Sequence, residues 1–241
     1  MPKTFLHGIN SVKSLLHPLD NILENAEHLN LRKASIAVKY QEGFDINKRS
    51  DIFWFEGSGI DPESVIVYYE NPDVMISKDD VQTAQEFFHD RGIKQVKLWK
   101  WHAPNNNDAY EQIIIKLKLL KSSDDISKWM RKTAINLCIR SSFWLSFFES
   151  YKIRVHLDAT EAGLETVFKQ IAIHHIGGLS VGKVRSYPPK LKGSFFGYYP
   201  NDIFFTWGND SSKNIQLINE NFRSILISGF PYHPINTVQN N

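Results

Sequence analysis

Lys183 and Arg185 stand two residues apart, after the small-residue turn Gly177-Gly178-Leu179-Ser180-Val181-Gly182 and before Ser186-Tyr187-Pro188-Pro189. On an extended segment residues i and i+2 face the same side, so two cations there could hold a phosphate, Arg185 through its two-pronged guanidinium. A solvated loop with surface charge accounts for the same residues. No Gly-x-x-x-x-Gly-Lys-Ser/Thr string is present, so any phosphate contact is not of the P-loop kind. His156-Leu157-Asp158 sets two titratable groups on alternate positions at a strand end. Either could take a proton from an attacking hydroxyl. Asp158, opening Asp-Ala-Thr-Glu, suits an N-cap of the following helix better than a base.

Other residues have plainer alternatives. Trp207-Gly208 ends the apolar run Asp202-Ile203-Phe204-Phe205-Thr206, where a Gly loop lets a ligand approach the backbone closely. Ile225-Leu226-Ile227-Ser228-Gly229-Phe230-Pro231-Tyr232 repeats that strand-to-loop pattern. Trp99, Trp101 and His102 could stack on a sugar or pack as core rim. His174 and His175, adjacent on a helix, point about 100° apart and cannot chelate one metal together; the helix dipole explains cations at that end. No Asp-x-Asp occurs, so no metal-dependent mechanism is indicated, and no Gly-x-Gly-x-x-Gly marks a dinucleotide site.

These residues need elements to hold them. Residues 34–40, 51–55, 64–69, 93–99 and 152–157 read as strands, and 15–31, 77–88 and 163–176 as helices. Asp61-Pro62-Glu63 is a turn, and Gly92 follows a helix where a C′ glycine belongs. Tyr110 to Tyr151 is helical in pattern, broken near Ser122-Ser123-Asp124-Asp125. Strand, helix and strand with short links is a βαβ unit, so the expected fold is α/β, a Rossmann-like parallel sheet flanked by helices, with at least six strands.

Composition sets the outer bounds. A chain of 241 residues with 42% hydrophobic content can bury a sizeable core. A formal charge of +2 with no basic block argues against a nucleic-acid partner. The single cysteine, Cys138, excludes an intramolecular disulfide framework and lies in an apolar helical pattern, as a core thiol does. Neither a signal-peptide h-region nor a run of ~20 apolar residues occurs, which makes the expected location cytoplasmic.

Trp144…Phe147-Phe148, Ile153-Arg154-Val155-His156-Leu157, Gly177 through Lys183 with Arg185-Ser186, Asp202 through Gly208, and Ile227-Ser228-Gly229-Phe230-Pro231 together carry a resemblance. The stretch from about 140 to 235 resembles part of a bacterial surface-polysaccharide biosynthesis family whose members look like GT-B glycosyltransferases. The resemblance implies a GT-B-type N-terminal, acceptor-side domain over 1–224. Residues 225–241 would then begin a linker or a second domain, most of which is missing. It implies a glycosyltransferase moving a sugar from a nucleotide sugar to a glycan or lipid-linked acceptor, without a cofactor or metal. Such a protein would work at the inner face of the membrane, with peripheral membrane contact and a partner subunit among the expectations. Because the donor site of such enzymes lies mainly on the second domain, this half alone is not expected to turn over.

Within that reading Lys183 and Arg185 steady phosphate, with Gly178, Ser180 and Ser186 beside them. His156 or Asp158 is the base, and Trp207 and Gly208 shape the cleft. The rival reading is a non-catalytic binding or interaction domain, or an inactive remnant of such a transferase.

Overall fold

Short runs of β-branched and aromatic residues, each cut off by a polar or glycine break, make the strands of a parallel sheet. In the computed structural model these are β1 (Ser35–Lys39), β2 (Val65–Tyr69), β3 (Lys94–Lys97), β4 (Ile153–Asp158), β5 (Leu179–Lys183), β6 (Ile203–Thr206) and β7 (Ser224–Ile227). Their helices are α1 (Lys78–Asp90), α2 (Asp108–Leu119), α3 (Asp125–Ser150), α4 (Leu164–His175) and α5 (Asn209–Ile218). The structure describes residues 35–40, 58–70, 78–103, 108–121, 124–158, 164–184, 199–218 and 223–228. The expected helix at 15–31, the strand at 51–55, Arg185, Ser186 and the 229–232 loop lie outside them.

The strand order is β3-β2-β1-β4-β5-β6-β7, and every pairing is parallel. The fold is therefore α/β and Rossmann-like, as the strand–helix rhythm predicts. From β1 the chain steps outward to β2 and β3. It then returns past β1 through α2 and α3 to begin β4, and steps outward the other way to β7. β1 and β4 thus flank the point where the strand order reverses, the place where open sheets of this kind bind ligands at their carboxyl ends. The expected boundary at residue 225 falls inside β7, whose residues through Ile227 pair with β6.

Alternation along the strands sorts the core onto two faces. Ala37, Ile66 and Tyr68 face α3 and α4, where Trp144, Phe147, Phe148, Phe168 and Ile173 pack as one cluster. Val38, Val65, Val67 and Tyr69 face the other way, with Ala84 and Phe88 of α1. Val184, Tyr199, Phe204 and Ile215 fill a third cluster around β6 and α5. Cys138 is buried in the first of these, as expected.

Two helices end alike. Gly92 N–H donates to the His89 carbonyl and Ile93 N–H to that of Phe88; Gly177 and Gly178 repeat the pair with His174 and Ile173. Gly92 and Gly177 take φ near +70°, which only glycine adopts without strain. At α3 the Asp124 carboxylate accepts from the Ser127 N–H at 2.8 Å, capping the start of a 26-residue helix.

Candidate functional site

Three strand ends and one helix converge at the switch point. Lys39 is the last residue of β1, Glu70 follows β2, and Asp158 ends β4; Tyr68 and His156 lie two residues behind Glu70 and Asp158 on the same face. Lys169, on the inward side of α4 between Phe168 and Ala172, reaches the sheet from above. It is only 1% exposed, as is Asp158.

Such a lysine cannot be solvated by water, so protein groups must do it. Its Nζ donates to Asp158 Oδ2 at 2.7 Å and to Glu70 Oε1, while Lys39 Nζ takes the other Glu70 oxygen at 2.8 Å. The rings of Trp144 and Tyr68 lie 4.7 and 5.5 Å from the same ammonium and add cation–π attraction. Two cations and two carboxylates thus form one neutral chain, Lys39–Glu70–Lys169–Asp158. Its two ends differ: Asp158 and Lys169 are sealed, whereas the side chains of Lys39 and Glu70 keep 19% and 26% of their surface.

Burial alone would push the Asp158 carboxyl up, but the Lys169 ammonium, with Lys39 behind it, more than reverses this and holds it well below the usual carboxylate range. Glu70 is lowered by the same contest between burial and the two lysines. Lys169 goes the other way, raised by Asp158 and Glu70 against its own burial. Asp158, Glu70 and Lys169 are therefore ionised at neutral pH.

His156 has a different surrounding. It is 1% exposed, its Nε2 lies 2.8 Å from the Tyr68 hydroxyl, and the rings of Tyr68 and Phe148 lie 5.9 and 5.2 Å away. Burial, reinforced by the Lys169 charge, drives its pKa down to about 3, so the imidazole is neutral at physiological pH. Burial and the nearby carboxylates raise the Tyr68 hydroxyl well above its usual value, so it stays protonated. In this arrangement neither His156 nor Asp158 is open to a ligand. Asp158 gives its carboxylate to Lys169, and Glu70 is the carboxylate of the cluster that reaches the edge.

The remaining expected residues divide between the two edges of the sheet. Lys183 ends β5 at the carboxyl edge and is largely buried; Trp207 and Gly208 follow β6 at that edge and lead into α5. Among the described residues, a Cβ on Gly208 would meet nothing within 4 Å. Gly178 and Ser180 sit at the other end of β5, with Gly178 about 16 Å along the strand from Lys183. A Cβ on Gly178 would lie 2.7 Å from the Arg154 carbonyl oxygen and 2.8 Å from Ile173, so close packing of strand and helix accounts for this glycine.

Ser180 belongs to a second polar cluster. Asp202 Oδ2 accepts from the Ser180 N–H and hydroxyl at 2.8 and 2.9 Å and lies 2.7 Å from His174 Nε2; Oδ1 forms an ion pair with Arg223 Nε at 3.0 Å. This carboxylate ties β5, β6, β7 and the end of α4 together at the amino edge. Burial raises its pKa, and the bonds from His174 and Ser180 bring it below the usual value. His175 meets the Tyr110 ring instead, and Trp101 packs edge-on against Phe143 and Phe147, the rim-packing alternative for that residue.

Lys39, Glu70 and Lys169 were not singled out by sequence. The legible signal was Lys169, a charge on the inward stripe of an apolar helix in register with Thr166, Ala172 and Ile173. Among the described residues, no group of three His, Cys, Asp or Glu side chains is placed to hold a metal ion, and no helix is long and apolar enough to cross a membrane. No protein-family model matches the sequence, and no curated protein is significantly similar to it.

Proposed function

We propose that this chain is the acceptor-side domain of a GT-B-type glycosyltransferase of surface-polysaccharide synthesis, serving transfer of a sugar from a nucleotide-activated donor to a glycan or lipid-linked acceptor. The observation that carries the reading is the ionised chain Lys39–Glu70–Lys169–Asp158 at the carboxyl ends of β1, β2 and β4. A sugar presents hydroxyls that both donate and accept, and a carboxylate beside an ammonium offers the complementary pair. Glu70 and Lys39 make the contact, and the sealed Lys169–Asp158 pair fixes them from behind. Lys183, farther along the same edge, steadies phosphate. Trp207 and Gly208 border the cleft, and Asp158 acts through Lys169 rather than on the acceptor.

Thermal shift and calorimetry with glycan acceptors and with UDP-, GDP-, CDP- and CMP-linked sugars test this. The expected result is stabilisation by a glycan, with affinity falling at least about tenfold in Glu70→Gln, the loss of one charge-assisted bond. Silence across the whole panel, or glycan binding indifferent to Glu70→Gln, overturns the assignment.

A further inference from the structure

Helix α3 is far longer than the sheet it covers. Its 26 residues run about 39 Å, against about 20 Å for the longest strand. Its buried residues begin only at Cys138; the 13 residues from Asp125 to Leu137 are exposed or half-exposed. Helix α2 runs back along it. Tyr110 lies near Cys138 at the base, and Arg131 donates to the Leu120 carbonyl near the tip, so the two helices are antiparallel. The C-terminus of α3 feeds the start of β4, which puts its free half on the side of the sheet's carboxyl edge. A two-helix arm therefore extends about 20 Å past the edge that holds Lys39 and Glu70.

The surface of that arm is unlike a solvated helical hairpin. Leu119, Leu120, Ile126, Trp129 and Met130 are between 57% and 76% exposed. Ile126, Trp129 and Met130 fall at i, i+3 and i+4, one stripe of α3, and the Arg131 contact brings Leu120 beside the same turns. Cations surround them: Lys116, Lys118, Lys121 and Lys132 are exposed, and Lys128 pairs with Asp125. Residues 116–132 hold six Lys or Arg and two Asp, a formal +4 within a chain whose total is +2. Net positive charge and the most exposed large apolar side chains among the described residues coincide on this arm.

From this we infer that the α2–α3 arm is a docking surface for an anionic lipid bilayer. Apolar residues at the tip, with Trp129 among them, enter the headgroup boundary, and the lysines around them meet lipid phosphates. Long lysine stems let the charge stay at the phosphate level while Leu119 and Met130 go deeper. The arm lies on the membrane, and the carboxyl edge of the sheet is then held facing it. The inference deepens the membrane contact that the transferase reading expects by naming the surface that makes it, and the two fail separately, because vesicle binding is read without donor, acceptor or turnover.

Sedimentation of the full chain with vesicles tests it, using phosphatidylcholine alone and phosphatidylcholine with roughly 30% phosphatidylglycerol. Binding is expected to the anionic vesicles only and to weaken as salt is raised. It should fall at least about tenfold in Trp129→Ser/Met130→Ser and, separately, in Lys116→Glu/Lys118→Glu/Lys121→Glu. The melting temperature of both variants should stay at the wild-type value, since every altered side chain is exposed. No binding to anionic vesicles, equal binding to neutral ones, or binding untouched by either variant overturns the inference. Self-association of the wild type that Trp129→Ser/Met130→Ser abolishes overturns it too, by making this face a contact between copies of the chain.

Discussion

The two edges of one sheet each carry a buried carboxylate, and the two are solvated in opposite ways. At the amino edge Asp202 is surrounded by an N–H, a hydroxyl, His174 and Arg223, and the last two are 37% and 54% exposed. Both of these side chains keep contact with water, so the arrangement resembles a helix cap more than a buried ion pair. At the carboxyl edge Asp158 faces Lys169, and both are sealed. Burying both charges costs about as much as their attraction returns, and an apolar pair of similar volume would pack there at no such cost. Stability alone therefore explains Asp202 but not Lys169. What Lys169 does provide is a fixed, ionised Glu70 at the ligand edge of the sheet.

Removing Lys169 should break this contrast most severely. Lys169→Met keeps an unbranched side chain, shorter by the ammonium, and leaves Asp158 and Glu70 without their shared cation. The loss expected is roughly 3–5 kcal/mol of unfolding free energy in urea titration. The double variant Lys169→Met/Asp158→Asn should recover part of it, since the stranded charge is gone. A single-variant loss below about 1 kcal/mol would mean that water enters the cluster and that the carboxyl edge is no more closed than the amino edge.

How much of this was written in the sequence depends on how far apart the residues stand along the chain. The strands at 64–69 and 152–157, the glycine stop at Gly92 and the helix break near Asp124 are local, and the structure carries them within a residue or two. The cluster is not local. Lys39, Glu70 and Asp158 become neighbours only because the strand order reverses between β1 and β4, and no spacing in the sequence states that order. Gly178 is a residue whose two readings look alike in sequence. A glycine before a strand suggests room for a ligand, and here the room is taken by the Arg154 carbonyl and Ile173. Ser180, read as a ligand contact, is occupied by Asp202 at the far end of its strand from Lys183.

Acid should separate the two edges next. His156 has a folded pKa of about 3 against an ordinary value of 6.5, so below pH 6.5 the unfolded chain binds a proton that the folded one refuses. Stability contributed by a neutral His156 is complete above pH 6.5 and is lost as pH falls toward 3. About 2 kcal/mol should go between pH 7 and pH 5, read as a falling urea midpoint. Asp158, Glu70 and Asp202 all have lowered pKa values, so what they contribute is complete above their ordinary range near 4 and is lost only below it. The first loss on acidification therefore belongs to the carboxyl edge. A flat midpoint from pH 7 to pH 5 would place His156 in water and open that edge.

The smallest effect should come from Asp202→Asn. The amide oxygen can still accept from the Ser180 N–H, so the link between β5 and β6 survives in weakened form. What disappears is the negative charge facing Arg223 and His174, two partners that water solvates readily. Exposed charges of this kind return little when paired, and the cost expected is about 1 kcal/mol, with the β7 edge loosening first under hydrogen exchange. Glycan affinity should not change, since Asp202 lies at the opposite end of the strands from Glu70. If Asp202→Asn instead weakened ligand binding as much as Glu70→Gln, the amino edge would belong to the site. Ser180 and Gly178 would then return to it as ligand contacts.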